Sequence, residues 1–213
     1  MALSEVDYNS INVTAAASKA LKWNSSANGF ETGDVGGSMV LLETQTASSS
    51  STISFTSNID STYKEYIFKY IDIHPSASGH FQVNFRDGSS AYDATKTTTF
   101  FHPYHYENDS EAYLEYAGSS DLAQSTGAQR LFQGNIDTSN DSSVSGTLHL
   151  FNPSSTTFVK HFMVNMNTVT EADVGVQEYT AGYCNVTAAI DAVQFKFNSG
   201  NIDAGTIQLF GVT

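Results

Sequence analysis

Apolar and polar residues alternate with a period of two along much of the chain after residue 38. The segment 80–86 places Phe81, Val83 and Phe85 on one face, and the segment 144–151 has Leu148 and Leu150 in phase. This alternation is typical of strands with one buried face. The segments that it predicts as strands are 38–46, 51–56, 63–73, 80–86, 144–151, 158–166, 177–186 and two closing strands within 191–212.

Helical periodicity is scarce by comparison. The segments 110–116 and 122–132 are the only candidate amphipathic helices of any length. Roughly eight to ten strands separated by turn residues are typical of a β-sandwich or a jelly roll. The predicted fold class is therefore all-β, with a β-sandwich or jelly-roll-like domain and a short extended N-terminal attachment segment.

Residues 1–37 are predicted to form that attachment segment, and residues 38–213 the sandwich domain. Apolar side chains in 1–37 are scattered among small and polar ones, and four glycines between 29 and 37 disfavour a helix. The side chains expected to mediate attachment or assembly are Ile11, Val13, Leu21, Trp23 and Phe30. The alternative is that Trp23, the single tryptophan, packs onto the chain's own domain.

Charge and hydropathy narrow the classes of partner. The 213 residues include 22 acidic and 9 basic side chains, which give a formal net charge of −13. Binding to nucleic acid requires clustered lysine and arginine, so no nucleic-acid partner is expected. No stretch approaches the ~20 apolar residues of a membrane-spanning helix. The N-terminus also lacks the apolar core of a signal peptide, so synthesis in a cytoplasm without membrane insertion is expected.

The segment 100–111 concentrates aromatic residues and histidines. Pro103 disfavours the interior of a strand, which predicts an exposed loop or a sheet edge. Aromatic side chains with polar tips on such a loop suit contact with a protein or a sugar. The residues expected to contact a host or partner surface are His102, Tyr104, His105 and Tyr106. Packing within the chain or between subunits is the alternative for the same residues.

Metal binding is the other interpretation of this segment. His102 and His105 lie three residues apart and are followed by Glu107 and Asp109, so nitrogen and oxygen ligands are close in sequence. The segment 137–143 begins like a calcium loop, but it lacks the required glycine and the bidentate glutamate, and a solvated turn is expected. The expectation is that the chain has no metal and no cofactor.

Sequence motifs for catalysis are missing. There is no Gly-x-Ser-x-Gly elbow, phosphate loop, dinucleotide fingerprint or Cys-x-x-Cys pair. Cys184 is the single cysteine, and its apolar neighbours predict a buried, inert thiol. We expect no catalytic residue. A carboxylate pair that cleaves glycans stays open, because sequence does not fix the separation of two carboxyl groups.

Three blocks of sequence carry a family resemblance. They are Ala-Ser-Ser-Ser-Ser-x-Ile-x-Phe-Thr-Ser-x-Ile-Asp-Ser-Thr-Tyr at 47–63, Asn-Pro-Ser-Ser-Thr-Thr-Phe-Val-Lys-His at 152–161, and Ser-Gly-Asn-Ile-x-x-Gly-Thr-Ile-x-Leu-Phe-Gly-Val at 199–212. The blocks resemble decoration and fibre-head proteins of tailed bacteriophages, closest to those of marine, cyanobacterial phages. The spacing from Leu21 and Trp23 to Phe30 is similar to the segment that precedes the head domain in such fibres.

The resemblance implies a non-enzymatic virion surface protein, either a capsid decoration protein or a head or tail fibre protein. It implies other virion proteins as partners, a homo-oligomer with a trimer favoured, and a location in the virion after synthesis in the host cytoplasm. One alternative is a carbohydrate-binding module that recognises a host-surface glycan. A small hydrolase such as a glycan depolymerase is another alternative.

Overall fold

The computed structural model describes residues 19–34 and 38–213. The chain divides into two compact units, Met1–Ser38 and Met39–Thr213. The described residues contain strands and no helix. The strands are β1 (Lys19–Trp23), β2 (Phe30–Asp34), β3 (Met39–Thr46), β4 (Ile53–Phe55), β5 (Glu65–Pro75), β6 (Phe81–Arg86), β7 (Lys96–Tyr106), β8 (Ala112–Tyr116), β9 (Gln129–Arg130), β10 (Val144–Phe151), β11 (Lys160–Val169), β12 (Val174–Cys184), β13 (Ala192–Phe197) and β14 (Ile202–Val212).

In the first unit, β1 and β2 form an antiparallel hairpin in which Trp23 pairs with Phe30. The turn between them is closed by the backbone N–H of Asn24, which donates to the carbonyl of Gly29 at 2.9 Å. Lys22 and Glu31 also pair across the strands, at 3.5 Å.

In the second unit, the larger sheet has eight antiparallel strands in the order β3-β14-β5-β10-β11-β12-β7-β8. The strands from β10 to β12 are consecutive in sequence and pair as a meander. The last strand, β14, lies between β3 and β5. Because side chains alternate across a sheet, each strand presents one set of residues to the smaller sheet and the other set to the outer face.

The smaller sheet has four strands in the order β4-β13-β6-β9. Its aromatic side chains pack on those of the larger sheet: Phe195 lies 5.5 Å from Phe68, and Phe81 lies 5.5 Å from Tyr70, between ring centroids. These rings are fully buried or nearly so. The two sheets therefore enclose one core, and the predicted all-β, sandwich-like fold is confirmed.

The two predicted helices are wrong. Most of the segment 110–116 is strand β8, which pairs along β7 at the sheet edge. The first part of the segment 122–132 follows the backbone of β7 as an irregular loop, and the N–H groups of Lys96 and Thr98 donate to the carbonyls of Ser125 and Leu122. The segment then forms the short strand β9, which pairs with β6. Both segments satisfy backbone groups of a neighbouring strand, and this tertiary pairing overrides a weak local helical preference.

The predicted exposed loop or sheet edge at 100–111 is confirmed for 107–111, which form an exposed turn, and wrong for 100–106, which belong to the interior strand β7. Pro103 pairs with Leu114 of β8. On the other side, the pairing of β7 with β12 is interrupted between Phe101 and Tyr104, and the register is the same before and after the interruption. The strand thus accommodates a residue without an N–H group at an interruption of one ladder.

A row of polar residues crosses the buried face at the other end of β7. Three residues are cross-strand neighbours in this row: Cys184 of β12 lies opposite Lys160 of β11 on one side and opposite Lys96 of β7 on the other. All three residues are fully buried. Burial raises the pKa of the Cys184 thiol to about 12, so the predicted buried thiol is confirmed.

Candidate functional site

His102 is the centre of a buried polar cluster on the inner face of β7. Its Nδ1 lies 3.0 Å from Oε2 of Glu178 on β12, and its Nε2 lies 3.1 Å from Oε1 of Glu115 on β8. Oε1 of Glu178 accepts a hydrogen bond from the backbone N–H of Gln133 at 3.1 Å. A histidine thus links a fully buried carboxylate to one that is partly exposed.

The pKa values of the two buried groups of this cluster are both raised. The hydrogen bond to Glu178 is the main cause that raises the pKa of His102, against the opposing effect of burial. Burial in turn raises the pKa of Glu178, because a carboxylate loses hydration inside the protein. Both shifts favour protonation of the pair. Because one histidine faces two carboxylates, the cluster is negative overall whenever both carboxylates are ionised.

A cleft of about 290 Å³ opens beside this cluster on the inner face of β7 and β12. Tyr104 and Tyr106 line it from β7, 6.1 Å apart between centroids and at 76° to each other. The loop 132–135 and the turn 170–174 form the other walls. The volume is at the lower end of the ~300 Å³ and upwards that is usual for small-molecule sites.

His105, the fourth residue predicted to contact a partner, lies on the opposite face of β7 from His102. It is exposed and lies 3.1 Å from Asp109. The strand therefore separates the two histidines that the sequence offers as neighbouring metal ligands. Within 19–34 and 38–213, no group of three or more His, Cys, Asp or Glu side chains is arranged to hold a metal ion.

His102 is also buried rather than exposed, at 5% of its surface. It therefore reaches a ligand only from inside the cleft, whereas Tyr104 and Tyr106 keep part of their surface accessible. A contact role for the four predicted residues stays a prediction.

The outer face of the eight-stranded sheet has a second feature, a contiguous set of apolar side chains that we call the aromatic belt. Phe101 and Tyr179 stack at 4.9 Å and 7°, and Tyr116 pairs with Phe101 across β7 and β8. Met163 is 55% exposed on β11. The belt consists of Phe101, Leu114, Tyr116, Phe151, Met163 and Tyr179. Two depressions of about 440 and 280 Å³ lie beside it, and both are lined by Phe151 and Met163.

Three of the five predicted attachment residues lie in the β1–β2 hairpin. Leu21, Trp23 and Phe30 are exposed by 48%, 61% and 42%, and the rings of Trp23 and Phe30 stack at 4.4 Å. Ile11 and Val13 lie outside the described residues. The role of all five in attachment stays a prediction.

Sequence reasoning missed Glu115, Glu178 and the belt. Glu115 lies in the segment 110–116, a candidate helix by sequence, and Glu178 is one of 22 acidic residues and belongs to no motif. One signal was present: Glu178 alternates in phase with Val174 and Val176, so it takes a buried position on its strand. A carboxylate at such a position requires a partner, and the histidine on the neighbouring strand provides it.

Comparisons with known proteins add little to this geometry. No protein-family model matches the chain, and no curated protein matches it. Among solved structures, the crystal structure of the infectious bursal disease virus VP2 subviral particle is similar at 13% identity with a TM-score of 0.15. The match covers 92% of this chain and 46% of that chain, so the chain spans about half the length of the VP2 chain. A TM-score this low carries no inference about fold or function. Among the described residues, no helix is long and apolar enough to span a membrane.

Proposed function

We propose that this chain is a non-enzymatic surface protein of a tailed-phage virion, a capsid decoration or fibre protein that works by assembly. The observation that supports the proposal is the aromatic belt on the outer face of the eight-stranded sheet. The three sequence blocks at 47–63, 152–161 and 199–212 support the location in a virion. In this proposal the segment 1–37 joins the domain to other virion proteins, and the belt packs against further copies of the chain.

Charge favours a copy of the chain as the occupant of the belt. Each copy has a net charge of −13, so two copies repel unless they meet through a surface with few acids. The row of residues that crosses the outer face through Phe101 and Tyr179 has Lys69 as its one charged side chain. In the adjacent row, which runs through Met163, the polar side chains are His149 and Thr99. Two acids lie beside the belt: Glu65, which is 2.6 Å from His149, and Asp121, which accepts a hydrogen bond from Tyr116.

Shape and size agree with the same occupant. The belt offers exposed side chains beside two depressions, so one surface can both insert and receive side chains, as self-association requires. Eight strands at ~4.8 Å spacing make the sheet roughly 34 Å wide. A face of that width is large enough for the ~800 Å² per partner that a specific interface buries. The family resemblance favours three copies.

The test is the mass of the purified full chain in solution, measured by sedimentation equilibrium and light scattering. The proposal expects an oligomer, with a trimer favoured. Met163→Glu should dissociate it, because a carboxylate in the belt would lose its hydration in the interface and would add to the repulsion between acidic copies. Phe158→Glu is the matched control: Phe158 is 70% exposed outside the belt, and the variant should keep the oligomer.

A monomeric wild-type chain at micromolar concentration would refute assembly through the belt, and so would a Met163→Glu variant that keeps the wild-type mass. The location is tested separately by cryo-electron microscopy of intact particles. Density for the chain on the capsid or on a fibre is expected, and its absence from purified particles would overturn the virion assignment.

A further inference from the structure

The cleft beside His102 presents hydrogen-bond acceptors from several directions. Glu115 lies on one side, with its carboxylate 38% exposed. Glu171 lies on the other, where its carboxylate accepts from Ser78 at 2.8 Å. Gln133 also lines the cleft, and its Oε1 is buried without a hydrogen-bond partner among the described residues. A buried acceptor without a donor is unfavourable, and a rotation of this side chain would let an N–H or O–H group of a ligand satisfy it.

The charge of the lining is negative. Glu115, Glu171 and Glu178 line the cleft, against a single histidine, His102, which can balance at most one of them. Arg130 offsets part of the charge of Glu178 and does not line the cleft. The neighbouring depression of about 330 Å³ adds two more acids, Glu107 and Asp173. A cationic ligand is therefore favoured over an anionic one. Among ligands that donate hydrogen bonds, a cationic ligand is also favoured over a neutral one.

The aromatic residues agree with a cation more than with a flat sugar ring. Tyr104 and Tyr106 are inclined at 76°, and Tyr104 and His102 at 74°. Rings at such angles pack edge to face and offer no coplanar platform. The electron-rich face of one tyrosine is enough to attract an ammonium group, and the carboxylates add charge-assisted hydrogen bonds.

We propose that this cleft binds a protonated primary amine, held by Glu115, Glu171 and Gln133 beside the rings of Tyr104 and Tyr106. The amine is one group of a larger ligand, since about 290 Å³ accommodates more than a single ammonium. An amino sugar, a polyamine and a lysine side chain all present this group. The site lies on the inner face of the sheet and the aromatic belt on the outer face, so this inference is independent of the proposed assembly.

The test is an NMR titration of the isotope-labelled full chain at neutral pH with glucosamine, N-acetylglucosamine, glucose and 1,5-diaminopentane. The two amines should shift the backbone amide signals of Gln133 and its neighbours, because that N–H is bonded to Glu178 at the cleft wall. Acetylation removes the charge of the amine and should abolish the shift. Comparing glucosamine with diaminopentane separates an amino sugar from a simple polyamine as the preferred source of the group.

Variants connect the binding to the cleft. Glu171→Gln should weaken amine affinity about fivefold, which is the upper end for a partly exposed charge pair. Asp141→Asn is the matched control, since it removes one negative charge from an exposed turn outside the cleft and should leave the affinity unchanged. The proposal is overturned if millimolar amines cause no shifts. It is also overturned if glucose shifts the same signals equally, or if both variants weaken binding to the same extent.

Discussion

Lys96 offers the sharpest test of the energetics of this fold. Its ammonium is fully buried and donates to Oδ1 of Asn84 at 2.6 Å and to the carbonyl of Ala94 at 2.7 Å. Burial lowers the pKa of Lys96 from 10.5 to about 8. At about 1.4 kcal/mol per pH unit, this shift corresponds to about 3 kcal/mol against the charged form in the folded state at neutral pH.

The perturbation is Lys96→Met, which keeps the length of the side chain and removes the charge. It relieves that cost of about 3 kcal/mol, and it forfeits the hydrogen bonds to Asn84 and Ala94, which costs about 1–3 kcal/mol if an acceptor is left unpaired. The backbone of residue 96 still donates to Ser125. We therefore expect the free energy of unfolding at pH 7 to stay within about 1 kcal/mol of wild type, or to rise, as for other buried charges replaced by apolar residues.

The decisive measurement is how that free energy depends on pH. A lysine whose folded pKa is depressed stabilises the protein above its unfolded pKa, and that contribution is lost as pH falls through the folded pKa. The wild type should therefore gain stability relative to Lys96→Met between about pH 8 and pH 10.5, by roughly 1 kcal/mol from pH 8 to pH 9. Urea denaturation at several pH values measures this difference, in which contributions of other groups cancel.

An exposed lysine provides the control. Lys64→Met removes the same charge at the surface and should leave the pH dependence of the wild type unchanged. If Lys96→Met lowers the free energy of unfolding by more than about 3 kcal/mol at pH 7, or if its difference from wild type does not vary with pH, the ammonium is not the desolvated group that this reasoning requires.

Two further predictions concern other buried positions. Cys184, with its pKa raised to about 12, contributes stability that is present below about pH 9 and is lost as pH rises towards 12. Between these pH values the free energy of unfolding of the wild type should therefore fall relative to that of Cys184→Ala. Equal pH profiles for the two proteins in alkaline unfolding would count against a buried thiol. Gly205 has a φ of +106°, and a Cβ there would collide with the backbone carbonyl of Asp72, so Gly205→Ala should lose about 3 kcal/mol or more in urea denaturation. Gly88→Ala isolates the backbone effect, since Gly88 has a φ of +87° and open space around it; it should lose only about 1–2 kcal/mol, and a similar loss for both variants would contradict the steric argument.

Sequence alternation predicted the core of the fold because each such strand has one face in the sandwich. Val144–Phe151 matches its predicted bounds, and Phe81–Arg86 begins one residue later than predicted. Strand β7 was not predicted because Pro103 disfavours a strand. The sequence does not show that the pairing with one neighbouring strand is interrupted beside this proline. Strand β8 was not predicted because it lies at the edge of the sheet, where both of its faces are largely exposed and its residues show no alternation of burial.

The candidate site was harder to predict for a different reason. His102 and Glu178 are 76 residues apart in sequence, and only the pairing of β7 with β12 brings them together at 3.0 Å. Sequence neighbours of His102 suggested a metal site with His105, but the period of the strand turns those two side chains to opposite faces. Closeness in sequence therefore gave the wrong partner for His102. Tyr104 and Tyr106, which are two and four residues from His102, lie on the same face of the strand as His102.

The two proposed surfaces lie on opposite faces of one sheet, and this separation makes them independently testable. Met163 of the belt and Glu171 of the cleft share no contact, so their substitutions should act additively, as distant sites do. Met163→Glu should change the mass of the chain in solution and leave the amine titration of the cleft unaltered. Glu171→Gln should do the reverse. Loss of amine binding on dissociation of the oligomer would instead mean that a neighbouring copy completes the cleft, because only a contribution from that copy could link the two faces.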